Sequence, residues 1–271
     1  MKRDATPVIE VRSLQKVYAS QGAAPVQALQ DIDFSIREGA FVSIVGPSGC
    51  GKSTLLQILG GLLPASAGQV LVAGTPVTGP MPGKIALVFQ DATLMPWKSA
   101  IDNVLFPLEI QKVPREERLR RGDQYLKLVG LEGAAHRLPH QLSGGMKQRV
   151  SIARGLAQEP RIILMDEPFG ALDEQNRIKM GHELLRIWEA TGKTIVLITH
   201  SLTEAIFLSD TVIVMGAHPG RILERVEIEL PRPRTYDVIG SPEFGAIRNR
   251  LWRMIEIEPT DDDTRAVAPE L

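Results

Sequence analysis

The chain of 271 residues has a single cysteine, few aromatic residues and no long hydrophobic run. Because Cys50 has no partner, no intrachain disulfide can form, which favours a reducing compartment such as the cytosol. The best apolar runs, 194–199 and 211–217, have the length of strands and fall far short of the ~20 residues that span a membrane. The N-terminus lacks the apolar segment of a secretory signal. We therefore expect any contact with a membrane to be peripheral and made through a protein partner.

An excess of charge is also missing. The formal net charge is −1, so no global basic field favours nucleic acid as a partner. Hydrophobic residues make up 44% of the chain and charged residues 23%, which is ordinary for a globular protein. The length allows one large domain, or one domain with an extension.

A glycine-rich loop is the most informative segment that is present. It matches the phosphate-binding pattern G-x-x-x-x-G-K-[ST] and lies between the strand-like run 41–45 and the helix-compatible run 53–59. Such a loop points backbone N–H groups at phosphate oxygens, and the helix N-terminus adds its positive dipole end. Lys52 would reach the β- and γ-phosphates, and the Ser53 hydroxyl would complete a Mg²⁺ shell. The predicted nucleotide contacts are Gly46, Pro47, Ser48, Gly49, Cys50, Gly51, Lys52, Ser53 and Thr54.

A second anion-binding segment lies about ninety residues further on. Ser143, Gly144 and Gly145 open a predicted helix with a capping hydroxyl, free N–H groups and a dipole end. One nucleotide rarely needs two such sites. The pair resembles the ATP-binding cassette family, in which this signature element completes the site of the opposite subunit. The family's motifs follow in order over about residues 8 to 225.

The resemblance assigns roles to two adjacent acids at 164–168, a segment similar to the family's Walker B element. It implies that Asp166 holds Mg²⁺ through water and that Glu167 orients or deprotonates the attacking water. We expect the two side chains to diverge because neighbours on an extended strand point to opposite sides.

Four further contacts rest on the resemblance. Gln90 corresponds to the glutamine that contacts Mg²⁺ and senses the γ-phosphate, and His200 to the switch histidine that bonds the γ-phosphate. Asp173, in 171–173, corresponds to the loop at the subunit junction, and Tyr18 to the aromatic residue that stacks on adenine. The remaining histidines lack metal-ligand spacing and are expected to be structural: His136, His140, His182 and His218.

The mechanism that the resemblance implies is phosphoryl transfer from ATP to water, with Lys52, Glu167 and His200 as catalytic residues. Two chains would form a head-to-tail homodimer that ATP closes and hydrolysis reopens. The chain departs from the family at Met146, where glutamine is common. A thioether cannot donate a hydrogen bond, which puts a contact to the opposing ribose in doubt.

The order of elements predicts an α/β fold. We expect a P-loop NTPase (RecA-like) core with an N-terminal antiparallel β subdomain and an α-helical subdomain inserted at about 91–160. The ATP-binding domain is predicted to span 8–230. The extension 231–271 is predicted to hold one amphipathic helix, with Phe244 and Leu251 in its apolar stripe, and a mobile tail.

The nitrate/sulfonate/taurine branch of importers is the subfamily that the chain resembles, through 94–97, 217–222 and 230–234. This predicts permease subunits as partners, a substrate-binding protein as an indirect one, and a position on the cytoplasmic face of the inner membrane. Met95 and Trp97 would then offer an apolar surface to a permease helix. Alternatively, Trp97 packs inside the helical subdomain.

Two other functions are alternatives to the importer. A soluble cassette ATPase that acts on DNA or the ribosome is the alternative, although the chain has a single cassette and no coiled-coil insertion. A P-loop GTPase is disfavoured because no Asn-Lys-x-Asp guanine motif occurs and the second anion site would be unexplained.

Overall fold

The computed structural model describes residues 7–19, 24–170 and 172–256. The predicted tail at 261–271 and Ala171 lie outside the described residues. Ten strands and seven helices are described: β1 (Pro7–Tyr18), β2 (Val26–Arg37), β3 (Phe41–Val45), α1 (Lys52–Leu59), β4 (Ala67–Val72), β5 (Thr75–Pro76), β6 (Ile85–Val88), α2 (Ala100–Ile110), α3 (Arg115–Leu128), α4 (Gly144–Ala157), β7 (Ile162–Asp166), α5 (Glu174–Thr191), β8 (Thr194–Ile198), α6 (Leu202–Leu208), β9 (Thr211–Gly216), β10 (Arg221–Glu227) and α7 (Pro242–Glu256).

Two sheets organise the chain, which confirms the predicted fold class. The N-terminal sheet is antiparallel, in the order β2-β1-β4-β5. The central sheet has the order β10-β9-β3-β8-β7-β6 and is parallel except for the pairing of β10 with β9. The carboxyl ends of its parallel strands therefore meet at one edge, where ligands bind in open α/β sheets.

Both faces of the central sheet are buried, as expected for a parallel sheet. Along β8, Ile195 and Leu197 join the hydrophobic cluster that the helices cover, whereas Val196 and Ile198 join the cluster beneath the N-terminal sheet. Strong burial on both faces explains why this strand is a continuous apolar run. It also keeps the strand ends, and the loops that follow them, in fixed positions.

Helices α2 to α4 form the inserted helical subdomain. Ser99 caps α2 by accepting a hydrogen bond from Asp102 N at 3.3 Å, and the buried Asn103 holds the loop before it by accepting one from Met95 N at 2.8 Å. On α4, Gln148 donates to Phe89 O at 3.2 Å. The subdomain is thus tied to the segment that leaves β6.

The predicted amphipathic helix of the extension is α7, and it packs on its own domain. Phe244 and Leu251 are fully buried in the cluster on the helical side of the central sheet. In the connector before α7, Arg234 donates to the carbonyl oxygens of Ile206, Phe207 and Ser209 at 2.7 to 3.1 Å. The connector therefore satisfies the last carbonyl groups of α6. A domain boundary at residue 230 remains a prediction.

Candidate functional site

The glycine-rich loop leaves β3 and enters α1, as predicted. Gly51 has φ 91° at the N-terminus of α1, a left-handed conformation that suits glycine. Lys52 is 8% exposed, and its ammonium group donates to Gly46 O at 2.9 Å and to Pro47 O at 2.7 Å. The lysine thus curls over the loop and brings a positive charge to the concave side, where phosphate oxygens would bind.

Two backbone segments support the loop from behind, and sequence reasoning missed both. A Cβ on Gly46 would collide with the carbonyl oxygen of Met215 at the end of β9. A Cβ on Gly220 would collide with Cys50 O and lie 2.8 Å from Ala28 O. Gly220 also donates to Ala28 O at 3.1 Å. These residues are far apart in sequence, so no pattern within a short segment predicts that they lie close together.

The predicted magnesium ligands Ser53 and Asp166 come together at the strand edge. Ser53 Oγ donates to Asp166 Oδ1 at 3.3 Å, across 113 positions of sequence. Burial raises the pKa of Asp166, with Glu167 adding a smaller effect in the same direction and Ser53 opposing it. A hydroxyl and a half-buried carboxylate suit Mg²⁺, which prefers oxygen ligands and would stabilise the charged carboxylate.

Glu167 lies beside His200, and its backbone differs from the extended conformation that the sequence predicts. His200 Nδ1 is 3.0 Å from Glu167 Oε2. Strand β7 ends at Asp166, and Glu167 has φ 41°, in the left-handed region. The expectation of an extended backbone at this position was therefore wrong: a sharp turn after the strand, with Glu167 N donating to Ile198 O at 2.9 Å, aims the carboxylate.

One cavity of about 360 Å³ gathers most of the predicted chemistry. It combines the phosphate loop, the carboxylate of the Walker-like segment and the switch-like histidine. Its walls are Ser48, Gly49, Gly51, Lys52, Ser53, Thr54, Glu167 and His200. The cavity thus brings hydrogen-bond donors, a lysine ammonium group, a carboxylate and an imidazole into one space.

Tyr18 and Gln90 lie outside that wall. Tyr18 OH is 3.3 Å from Thr54 Oγ1, and the residue is 40% exposed with the Lys16 ammonium 5.1 Å from the ring centre. Gln90 follows the end of β6, and a Cβ built on Gly170 would lie 3.2 Å from its Nε2. Tyr18 is thus anchored beside the loop with a ring face available, and Gln90 borders the turn after Glu167.

The Ser143 segment opens a separate cavity of about 690 Å³. Ser143 caps α4 by accepting from Met146 N at 3.3 Å, and Asp173 caps α5 by accepting from Asn176 N at 3.0 Å. Hydrogen bonds from Asn176 lower the pKa of Asp173. The walls include Ser143, Gly144, Gly145, Leu172 and Asp173, and none of the residues that line the phosphate-loop cavity. Within one chain, the two predicted half-sites line different cavities.

Fold and site together define a P-loop ATPase. Residues 29–170 match the family described as ABC transporter. The chain is 46% identical over 258 residues to an uncharacterized ABC transporter ATP-binding protein of Methanocaldococcus jannaschii, over 95% of each chain. It is 41% identical to the taurine import ATP-binding protein of Escherichia coli strain K12, over 87% of this chain and 93% of the relative.

Solved structures of ATP-binding cassettes also match the fold of this chain. A dimeric ATP-binding cassette in a post-hydrolysis state, bound to ADP and Pi, matches with TM-score 0.72 and 35% identity, over 82% of this chain and all of that one. The subunit cbiO1 of Clostridium perfringens, part of the ABC transporter complex cbiONQ, matches with TM-score 0.75 and 29% identity, over 93% of this chain and 98% of that one.

The chain belongs to the ABC transporter family and is an ATP-binding ATPase subunit. Over the described residues, no helix is long and apolar enough to cross a membrane.

Proposed function

We propose that the chain is the energy-coupling ATPase of an importer for a small molecule or anion of the nitrate, sulfonate or taurine type. The observation that carries the ATPase cycle in this proposal is the separation of the two half-sites into cavities without a shared residue. A second copy is needed to finish each site. The likeness to a taurine import protein supports the importer branch.

At each site, Lys52 binds the β- and γ-phosphates of ATP, and Tyr18 stacks on the adenine. Glu167 accepts a proton from the attacking water, and His200, whose ring borders the same cavity, bonds the γ-phosphate. Ser53, Asp166 and Gln90 are the residues that would hold Mg²⁺, which neutralises phosphate charge when bound. The arrangement needs no covalent intermediate, because positioning and charge neutralisation lower the barrier.

The second cassette contributes its Ser143, Gly144 and Gly145 to the γ-phosphate. ATP then binds the closed dimer more tightly than the open one, and hydrolysis removes that difference. This difference in affinity supplies the free energy that moves the attached subunits. The related cassette that is dimeric with ADP and Pi bound supports the dimer on which such a cycle depends.

Permease subunits are the proposed partners on the helical subdomain, with a substrate-binding protein reached through them. Trp97 is 75% exposed, so the alternative that it packs inside the subdomain is wrong. Arg154 of α4 donates to the carbonyl oxygens of Ala92 at 2.9 Å and Thr93 at 3.0 Å. Movement of a helix docked at Trp97 would therefore be coupled to α4 through the segment that Arg154 holds. The chain would lie on the cytoplasmic face of the membrane.

The test uses Glu167→Gln. We expect hydrolysis to fall by about 10²- to 10⁴-fold, the usual contribution of a general base, while ATP produces a stable dimer in sedimentation. The unmodified chain is the control. Wild-type turnover in the variant would contradict the role of Glu167. Copurification with DNA or ribosomes, instead of a hydrophobic permease, would contradict the importer.

A further inference from the structure

His200 borders two cavities. Besides the phosphate-loop cavity, it lines a cleft of about 460 Å³ between the start of α6 and one face of α7. The other walls of this cleft are Leu202, Thr203, Arg248, Asn249 and Trp252. His200 therefore lies between the nucleotide site and the C-terminal helix.

The face of α7 that lines this cleft differs from the face that packs on the domain. Phe244 and Leu251 anchor the helix in the core. Arg248 and Asn249 are consecutive, Trp252 follows one turn later, and all three are exposed beside the packed side; we call them the α7 stripe. Trp252 is 59% exposed, a large apolar area to leave in water.

We propose that the α7 stripe is part of the surface that a second copy of this chain covers when ATP closes the dimer. This inference rests on the proposed function. The face with the phosphate loop and His200 must meet the partner's Ser143 face in any head-to-tail dimer. Because His200 joins that face to the cleft, closure over the nucleotide brings the partner against Trp252.

Residue type also favours this occupant. Arg248 places a cation on the stripe, and the opposing face of a second copy offers Asp173 and Glu183 as anionic partners beside the cations Arg149 and Lys179. Tryptophan and arginine are the residues that most often dominate binding at the centre of interfaces. The extension after residue 230 thus adds a protein–protein contact to the cassette dimer, and this contact does not involve the bound nucleotide.

The chain offers a matched control, because Trp97 is exposed as well and lies on the helical subdomain. Both substitutions are made in the Glu167→Gln background with ATP. By sedimentation, we expect Trp252→Ala to raise the dissociation constant of the ATP-bound dimer at least tenfold, about 1.4 kcal/mol, and Trp97→Ala to leave it unchanged. Equal constants for the two variants would overturn the inference.

A second measurement leaves Trp252 in place. In the Trp97→Phe chain, ATP should reduce acrylamide quenching of tryptophan fluorescence, since Trp252 becomes covered and Trp188 is already half-buried. In the Trp252→Phe chain, quenching should not change with ATP. A dimer that forms while Trp252 stays equally quenchable overturns this inference and leaves the proposed function intact. Absence of any ATP-dependent dimer overturns both.

Discussion

The two glycine-rich elements of the site use glycine for different reasons. In the phosphate loop, a Cβ on Gly46 would lie 2.9 Å from Cys50 Sγ and collide with the backbone of Met215. In the signature element, a Cβ on Gly144 or Gly145 would meet only Leu172 Cδ2, at 3.7 or 3.9 Å. Those are ordinary van der Waals distances. The packing of the chain itself therefore requires glycine in the loop but not at the start of α4.

Gly145→Ala is the substitution with the largest expected effect, and it tests whether glycine at the start of α4 serves activity and not stability. We expect hydrolysis to fall about 100-fold or more, the scale of losing one preorganised donor, because a methyl group would keep the opposing phosphate from the N–H groups. The melting temperature of the isolated chain should not fall, since alanine favours a helix over glycine. Calorimetry and a phosphate-release assay test the two parts. A large loss of stability would show that the chain does require this glycine.

The matched change in the loop is Gly46→Ala. Overpacking against the Met215 carbonyl should lower the free energy of unfolding by about 1–3 kcal/mol and weaken ATP binding at the same time. Chemical denaturation without nucleotide and titration with ATP measure the two effects. Unchanged stability would contradict the close packing behind the loop and remove the contrast with Gly145.

Gly220→Ala tests the same support from the other side. The new methyl group would press on the carbonyl of Cys50, which belongs to the phosphate loop, so we expect the affinity for ATP to fall about tenfold with a smaller change in the rate at saturation. Gly240→Ala is the control, because no atom lies within 4 Å of a Cβ there. An effect on maximal rate alone would argue against a role in holding the loop.

Local pattern was sufficient for much of this site. The strand 41–45 has the predicted bounds and the helix after Ser143 begins at Gly144 as predicted, because their periodicity and caps are written in adjacent residues. Lys52, Ser53, Glu167 and His200 come together because parallel strands deliver their carboxyl ends to one edge.

Other features have no local signal. The packing of Gly220 on the loop depends on a contact across 170 positions, and the left-handed turn at Glu167 depends on where β8 lies. Apolar spacing identified the buried side of α7 but not the exposed Trp252 beside His200. Tertiary placement decides these features, and periodicity within one segment cannot report it.

The smallest expected effect concerns Met146, where the chain departs from its family. Its backbone N–H donates to Ser143 Oγ whatever the side chain is, so the cap of α4 survives substitution. The side chain is half-buried against the hydrophobic cluster on the helical side of the sheet.

Met146→Gln should therefore change hydrolysis by no more than about threefold and lower the free energy of unfolding by about 0.5–1 kcal/mol, because part of an apolar contact becomes polar. Steady-state kinetics and denaturation in urea check both numbers. If glutamine raised hydrolysis tenfold, a side-chain contact at this position would add to the glycine N–H groups. If the rate hardly moves, the signature element acts through its backbone and Ser143, which is why it tolerates methionine there and should not tolerate alanine at Gly145.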